Sequence, residues 1–253
     1  MISDYLKYRR ARVNQYGLHS PFMYRLYLDV IRDRKKARNQ KVEGLRNRLC
    51  KNKTRFNITD LGAGSRKTSS SERSISEVAK NAAISTRQAE ILSRLIQVYD
   101  INRVLELGTS LGIGTSYFAT ARNGVEVVTI EGCPQTAKIA AKNFEQMGIK
   151  NVVQKVGSFV DVLPSIEDQV FDLIYIDGNH RLAPTLAYFE WALNHIAPTG
   201  FIVLDDINWS DEMKQAWRQI KADERIHVSM DFFRFGILSK REEQEKQNFI
   251  LKY

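Results

Sequence analysis

The sequence has no long apolar run. Nowhere in its 253 residues is there a stretch approaching the roughly 18 to 20 uninterrupted apolar residues of a membrane helix, which excludes such a span, and no membrane partner is expected. The start, MISDYLKYRRARVNQYG, lacks the apolar segment of a secretory signal, so a cytoplasmic location is expected. Cysteine is scarce: Cys50 follows a basic helix-like stretch and Cys133 follows an expected strand, far apart and in unlike contexts. That spacing argues against a disulfide framework and against a zinc site. Internal repeats and coiled-coil heptads are missing too. Acidic charge is thin near the start. Residues 1 to 56 carry 16 Lys or Arg against four acids, about +12 within a net charge of +9, leaving the remainder close to −3. A basic arm of this kind can bind nucleic acid or an anionic surface; a solvated helix face or a contact to an acidic partner has the same composition.

What is present fits one sizeable α/β domain with an N-terminal extension, since 43% of the residues are hydrophobic. The extension is taken as residues 1–76 and the domain as 77–253. Apolar positions Phe22, Leu26, Val30 and Ile31, then Leu45 and Leu49, recur at helical spacing and predict two amphipathic helices over 21–49. Residues 62–76 are rich in Gly and Ser and are expected to form a loop or lid. Helical periodicity returns over 77–99. Beyond it, short apolar runs at 104–107, 127–130, 152–156, 173–176 and 201–204 alternate with stretches long enough for crossover helices, which predicts a parallel sheet buried on both faces. The class is doubly wound α/β. Two apolar runs at 226–238 and 248–252, separated by the charged segment 239–246, predict a terminal antiparallel hairpin.

The most informative stretch is VLELGTSLGIGTSYFATA, Val104 to Ala121, in which a strand ends at Glu106-Leu107-Gly108 and a turn containing Thr109, Ser110, Gly112 and Gly114 feeds a helix. Glycine lets the backbone turn sharply and lets a ligand approach without a Cβ in the way. A dinucleotide site would present G-x-G-x-x-G, with helix amides cradling a pyrophosphate. Here the order is G-x-x-x-G-x-G, preceded by an acid. A phosphate-free cofactor with an amino-acid part, ribose hydroxyls and a sulfonium suits that arrangement, and S-adenosylmethionine is such a molecule. Glu131 ends the next strand 23 residues after Gly108, where a carboxylate can accept bonds from both ribose hydroxyls. A second string, ITDLGAGSR at 58–66, is similar in composition but lacks a following apolar helix and a strand ending in an acid, so it reads as a loop of the extension.

VLELGTSLGIGTSYFA, VVTIEG, GSFVDVLP, FDLIYIDGNH and GFIVLDDINW, in that order, resemble the class I methyltransferases, and within them the catechol and caffeoyl-coenzyme-A O-methyltransferase-like group. The resemblance spans residue 77 to the C-terminus. It implies a Rossmann-like, seven-stranded sheet with an antiparallel last strand, and cofactor contacts from Glu106, Glu131, Asp177 and the Gly108–Gly114 loop, with Gly157 and Ser158 beside the adenine. It also implies a divalent ion such as magnesium on Asp177, Asp205 and Asp206, where three carboxylates would otherwise repel. The sequence departs from the metal-dependent pattern by placing His180 where a lysine is usual, and Asp206 where asparagine is common. Asp177 and His180 are the candidate catalytic residues, His180 as a general base. Asn179, Asn208 and Trp209 fall at the same carboxyl edge of the sheet and are candidates for an acceptor pocket, while Trp209 and Trp217 could equally pack a helix on the sheet. The aromatic-rich stretch His19–Tyr27 could cover an acceptor, form a homodimer face or pack the core of the extension.

The expected activity is O-methylation of a small hydroxylated acceptor. Two alternatives stand beside it. One is a nucleic-acid methyltransferase acting on an RNA 2′-hydroxyl, since the Asn/Asp-Pro-Pro-aromatic string of base N-methylation does not occur. The other is a catalytically silent S-adenosylmethionine-binding protein.

Overall fold

The computed structural model describes residues 2–32, 39–59 and 72–253. Most of the Gly/Ser-rich segment, and the string 58–66 beyond Thr59, lie outside the described residues. Along the chain run the helices α1 (Ile2–Ala11), α2 (Pro21–Leu26) and α3 (Gln40–Leu49), the strands β1 (Arg55–Asn57) and β2 (Glu72–Ser74), and the helices α4 (Ile75–Asn81) and α5 (Thr86–Val98). Strands and helices then alternate: β3 (Arg103–Leu107), α6 (Ile113–Ala119), β4 (Glu126–Glu131), α7 (Pro134–Met147), β5 (Val152–Val156), α8 (Phe159–Val162), β6 (Phe171–Ile176), α9 (Leu182–His195), β7 (Ile196–Leu204) and α10 (Asp211–Ala222). Three short strands close the chain, β8 (Val228–Asp231), β9 (Gly236–Ser239) and β10 (Gln247–Ile250). The mostly parallel sheet with interleaved helices is the Rossmann-like α/β class expected from the alternation of runs. Among the described residues no helix is long and apolar enough to cross a membrane.

The chain forms two compact units, Lys35–Asp168 and Met1–Arg34 with Gln169–Tyr253. In the first, β3, β4 and β5 lie side by side and parallel, with Leu107 opposite Ile130 and Glu131 opposite Val156. Val104, Leu105, Leu107, Val127 and Ile130 are buried, as an uninterrupted β-branched and aliphatic run demands. β5 departs from the expectation of burial on both faces: Val153 and Val156 are more than half exposed, because this strand pairs on one side only, with β4. The helix expected over 77–99 is two helices. Ser74 and Glu77 form a capping box that starts α4, and Ser85 accepts a hydrogen bond from the Gln88 amide to start α5, so each segment has its own N-terminal signal. Residues 72–76, expected to belong to a loop, instead pair β2 with β1 and open α4.

In the second unit the strand order is β10-β8-β9-β7-β6. β6 and β7 are parallel, whereas β9 runs antiparallel to both β7 and β8. The antiparallel hairpin expected between 226–238 and 248–252 does not form: the run 226–238 itself folds back as β8 and β9, closed by a turn in which Phe233 adopts φ 66°. β10 then lies parallel to β8 and is an addition to the seven-stranded pattern. The N-terminal segment is built into the same unit. Val13 bridges to Leu251, its amide donating to the Ile250 carbonyl (2.8 Å) and its carbonyl accepting from the Lys252 amide (2.9 Å). The Tyr8 and Tyr27 hydroxyls donate to the carbonyls of Leu251 (2.6 Å) and Lys252 (2.9 Å). Within the aromatic-rich stretch His19–Tyr27, Met23, Leu26 and Tyr27 are buried, followed by buried Val30 and Ile31, while His19 and Tyr24 are exposed. Trp217 is buried in α10, its Nε1 donates to Asp231 (2.9 Å), and a Cβ on Gly236 would fall 2.3 Å from its ring.

Candidate active site

In unit Lys35–Asp168 the turn after β3 is shaped by left-handed backbone at Gly108 (φ 110°), Ser110 (φ 48°) and Gly112 (φ 78°). Gly108 and Thr109 both donate their amides to the Ile130 carbonyl, and the Gly112 amide donates to Thr109. Gly112 starts α6 and lies against Phe144; an added Cβ would sit 2.6 Å from the ring. Asn143 of α7 donates to the Leu111 carbonyl (2.9 Å), fixing the far side of the turn. Glu131, at the tip of β4, reaches back over it: one carboxylate oxygen accepts from the Ser110 amide (2.8 Å), the other from the Cys133 amide (3.0 Å). A carboxylate offers about four lone-pair positions, so two amides do not exhaust it.

Glu106 is placed differently. It is 1% exposed, beneath the turn, and its Oε2 accepts hydrogen bonds from Thr115 of α6 and from Thr129 of β4 (2.7 Å). Thr129 and Thr109 hydroxyls lie 2.6 Å apart. With the Thr129 proton committed to Glu106, Thr109 is the donor between them. Gly114 is required here because a Cβ would lie 2.8 Å from Glu106 Oε1. Burial pushes the Glu106 carboxyl up to about 8, with the Glu131 charge adding to it and the two threonine hydrogen bonds opposing it. A neutral carboxyl keeps Oε2 as the acceptor for both hydroxyls. Gly157 (φ 150°) donates its amide to the Glu131 carbonyl, and Ser158 caps α8, accepting from the Asp161 amide (3.2 Å) and donating to its carboxylate (2.5 Å).

In the other unit a second polar cluster forms at the ends of β6 and β7. Asp177 follows β6 and Asp205 follows β7. Asp205 is 3% exposed; its Oδ2 accepts from the buried Tyr175 hydroxyl (2.5 Å) and its Oδ1 from the Asp206 amide (2.8 Å). The same hydroxyl is 3.5 Å from Asp177 Oδ2. His180 Nε2 stands 3.6 Å from Asp177 Oδ1 and 4.0 Å from Asp206 Oδ2, with its ring 5.9 Å from that of Trp209. Arg234, in the β8–β9 turn, brings Nε to 3.8 Å from Asp206 Oδ1. Burial would lower the Arg234 pKa, but Asp205, Asp206, Tyr175 and Asp177 together raise it. Three non-glycine residues here hold left-handed backbone, Asn179 (φ 48°), Asp206 (φ 52°) and Phe233 (φ 66°). Strain of this kind costs about 1 to 3 kcal/mol each and gathers at functional sites.

A divalent ion of the kind the resemblance implies would have to sit among Asp177, Asp205 and Asp206. Asp205 is held in place by one hydrogen bond on each oxygen, from the Tyr175 hydroxyl and the Asp206 amide. Among the described residues no three His, Cys, Asp or Glu side chains are gathered so as to hold a metal ion. The residues as arranged do not fit the ion. What the structure does bring together is Asp177, Asp206 and His180, with Tyr175 and Arg234, which sequence reasoning missed. Tyr175 is hidden in an apolar strand run and Arg234 in the aromatic segment DFFRFG; neither has a motif. Thr115, Thr129 and Asn143 were missed for the same reason.

Residues 105–207 of the chain match a family described as a methyltransferase domain. Its relatives are O-methyltransferases. A catechol O-methyltransferase of Niastella koreensis is 34% identical over 131 residues, which cover 49% of this chain and 58% of that protein. One of Mycobacterium tuberculosis is 32% identical over 127 residues, covering 49% and 57%. The chain thus spans under two thirds of the length of these relatives. An O-methyltransferase of Bacillus cereus, in complex with S-adenosylhomocysteine, superposes with a TM-score of 0.55 at 27% identity, covering 62% of this chain and 82% of its own. The O-methyltransferase TomG of Streptomyces achromogenes, bound to S-adenosylmethionine, shares the fold with a TM-score of 0.57 at 24% identity, covering 63% and 82%.

Proposed function

We propose that the chain binds S-adenosylmethionine and transfers its methyl group to the hydroxyl of a small acceptor. The observation that carries this reading is the turn after β3, bent through Gly108, Ser110 and Gly112 and clamped by Glu131 through the Ser110 amide (2.8 Å). In this reading Glu131 takes the ribose hydroxyls, the Gly108–Gly114 turn takes the amino-acid end, and Gly157 with Ser158 borders the adenine. Glu106 acts through the turn, joining Thr115 to Thr129 beneath it. The catalytic domain is taken as residues 77–253 and the preceding residues as an accessory segment.

The reaction is an in-line displacement. The acceptor oxygen attacks the methyl carbon, the O–C bond forms as the C–S bond breaks, the sulfonium becomes a neutral thioether, and the acceptor's proton passes to His180 Nε2. Asp177 and Asp206, at 3.6 and 4.0 Å, stabilise the imidazolium so formed. No metal enters any step.

Calorimetry with S-adenosylhomocysteine tests the cofactor assignment. Glu131→Ala should weaken binding about 10- to 100-fold, the range expected for a lost charge-assisted pair; unchanged affinity removes the assignment. Asp177→Asn should lower kcat for methylation of a catechol probe while leaving S-adenosylhomocysteine affinity within about twofold, since its contribution is made in the transition state.

A further inference from the structure

We propose that Arg234 is the built-in cation of the Asp177–Asp205–Asp206 cluster, so that a divalent ion is excluded from it. The proposal rests on the methyl-transfer reading, and it follows from the misfit between the family's metal site and these side chains. Carboxylates set this close repel unless protonated or neutralised. Here a compensating positive charge is supplied by a guanidinium whose Nε lies 3.8 Å from Asp206 Oδ1. A guanidinium stays charged at any accessible pH, so this positive charge is present beside Asp206 under all conditions in which the chain is folded.

The placement is built rather than incidental. The loop after β7 is tied to the Arg234 turn twice: the Ile207 amide donates to the Arg234 carbonyl (3.1 Å), and Asn208 Nδ2 donates to the Phe233 carbonyl (2.7 Å). From the other side the Phe233 amide donates to Asp231 Oδ1 (2.8 Å), while Asp231 Oδ2 accepts from Trp217 (2.9 Å). Tyr5 and Tyr8 of α1 pack on the Phe233 ring, with centroids 5.1 and 5.4 Å apart. The turn backbone that bears the arginine is thus anchored beside the loop that bears Asp206. Asp205 completes the arrangement by accepting hydrogen bonds from the Tyr175 hydroxyl and the Asp206 amide.

Manganese titration followed by electron paramagnetic resonance tests this on the full chain, with and without saturating S-adenosylhomocysteine. The wild-type protein and Arg234→Lys should leave the ion free, and Arg234→Gln should bind it at least about tenfold tighter, because one neighbouring positive charge has been removed from a partly buried acidic site. Stoichiometric binding by the wild type overturns the proposal. So do equal titrations for wild type and Arg234→Gln. Chelation with EDTA should change the wild-type transfer rate by less than about twofold, where a metal-assisted reaction would lose most of its rate; a fall of tenfold or more also overturns it. Calorimetry with S-adenosylhomocysteine on the same samples keeps the two claims apart, since absent cofactor binding defeats the methyl-transfer reading whatever the manganese result.

Discussion

At the residue scale, Glu106 and Gly112 make the sharpest predictions. The Glu106 carboxyl is raised from 4.5 to about 8 by burial, so the folded state holds a proton that the unfolded state releases above about pH 4.5. Its stabilising contribution is therefore complete below that pH, and declines as pH rises toward 8. Glu106→Gln keeps an acceptor for Thr115 and Thr129 and removes the titration. Its melting temperature should fall less than that of the wild type between pH 5 and pH 9, and parallel curves would show that Glu106 does not titrate as argued. Gly112→Ala faces two separate problems, φ 78° and a Cβ 2.6 Å from Phe144. The expected loss is about 2 to 4 kcal/mol by denaturant unfolding. Adding Phe144→Leu should recover the steric part only. Both positions were legible in the sequence as an acid and a glycine at a strand-to-helix turn. Their roles were not, because the partners that define them, Thr115, Thr129 and Phe144, sit on other elements and have no local signature.

At the scale of elements, the strands of the parallel sheet could be read because a central strand buried on both faces leaves an uninterrupted apolar run, and β3, β4, β6 and β7 do so. The pairing at the C-terminal end could not. Residues 226–238 form one apolar run in which the turn at Phe232–Arg234 has aromatic flanks and no Asn-Gly or Asp-Gly signal, so the break between β8 and β9 left no trace. The expected helix over 77–99 concealed its own interruption, because the Ser85 cap lies among small residues that also suit a helix. The association of α1 with the β8–β9 turn was equally invisible, yet it has a measurable consequence. Tyr8→Phe removes the hydrogen bond to the Leu251 carbonyl and should cost about 1 kcal/mol, read as a shift in the denaturation midpoint at constant slope. Tyr5→Ala strips one ring from Phe233, and should loosen the Arg234 turn with little effect on S-adenosylhomocysteine affinity, a split that separate unfolding and calorimetric titrations will register.

At the scale of the whole molecule, the net charge of +9 originates in the first 56 residues, and an RNA acceptor is the activity such charge would favour. Deleting the segment is a poor test, because Val13, Tyr8 and Tyr27 are part of the unit that contains β8 and β10. Lys7, Arg9 and Arg10 are exposed on α1 and can be changed to Gln without disturbing the core. If the acceptor is a small molecule, this triple variant should retain catechol methylation within about twofold, and neither protein should show RNA binding that steepens as salt is lowered. The bridge between Val13 and Leu251 also governs when the molecule can finish folding. Val13 is made early but meets Leu251 only after some 238 further positions have been translated, about 12 to 50 s later at ordinary elongation rates. During that interval Tyr8, Val13 and Tyr27 lack the backbone partners at residues 250–252 that tie this segment into its unit.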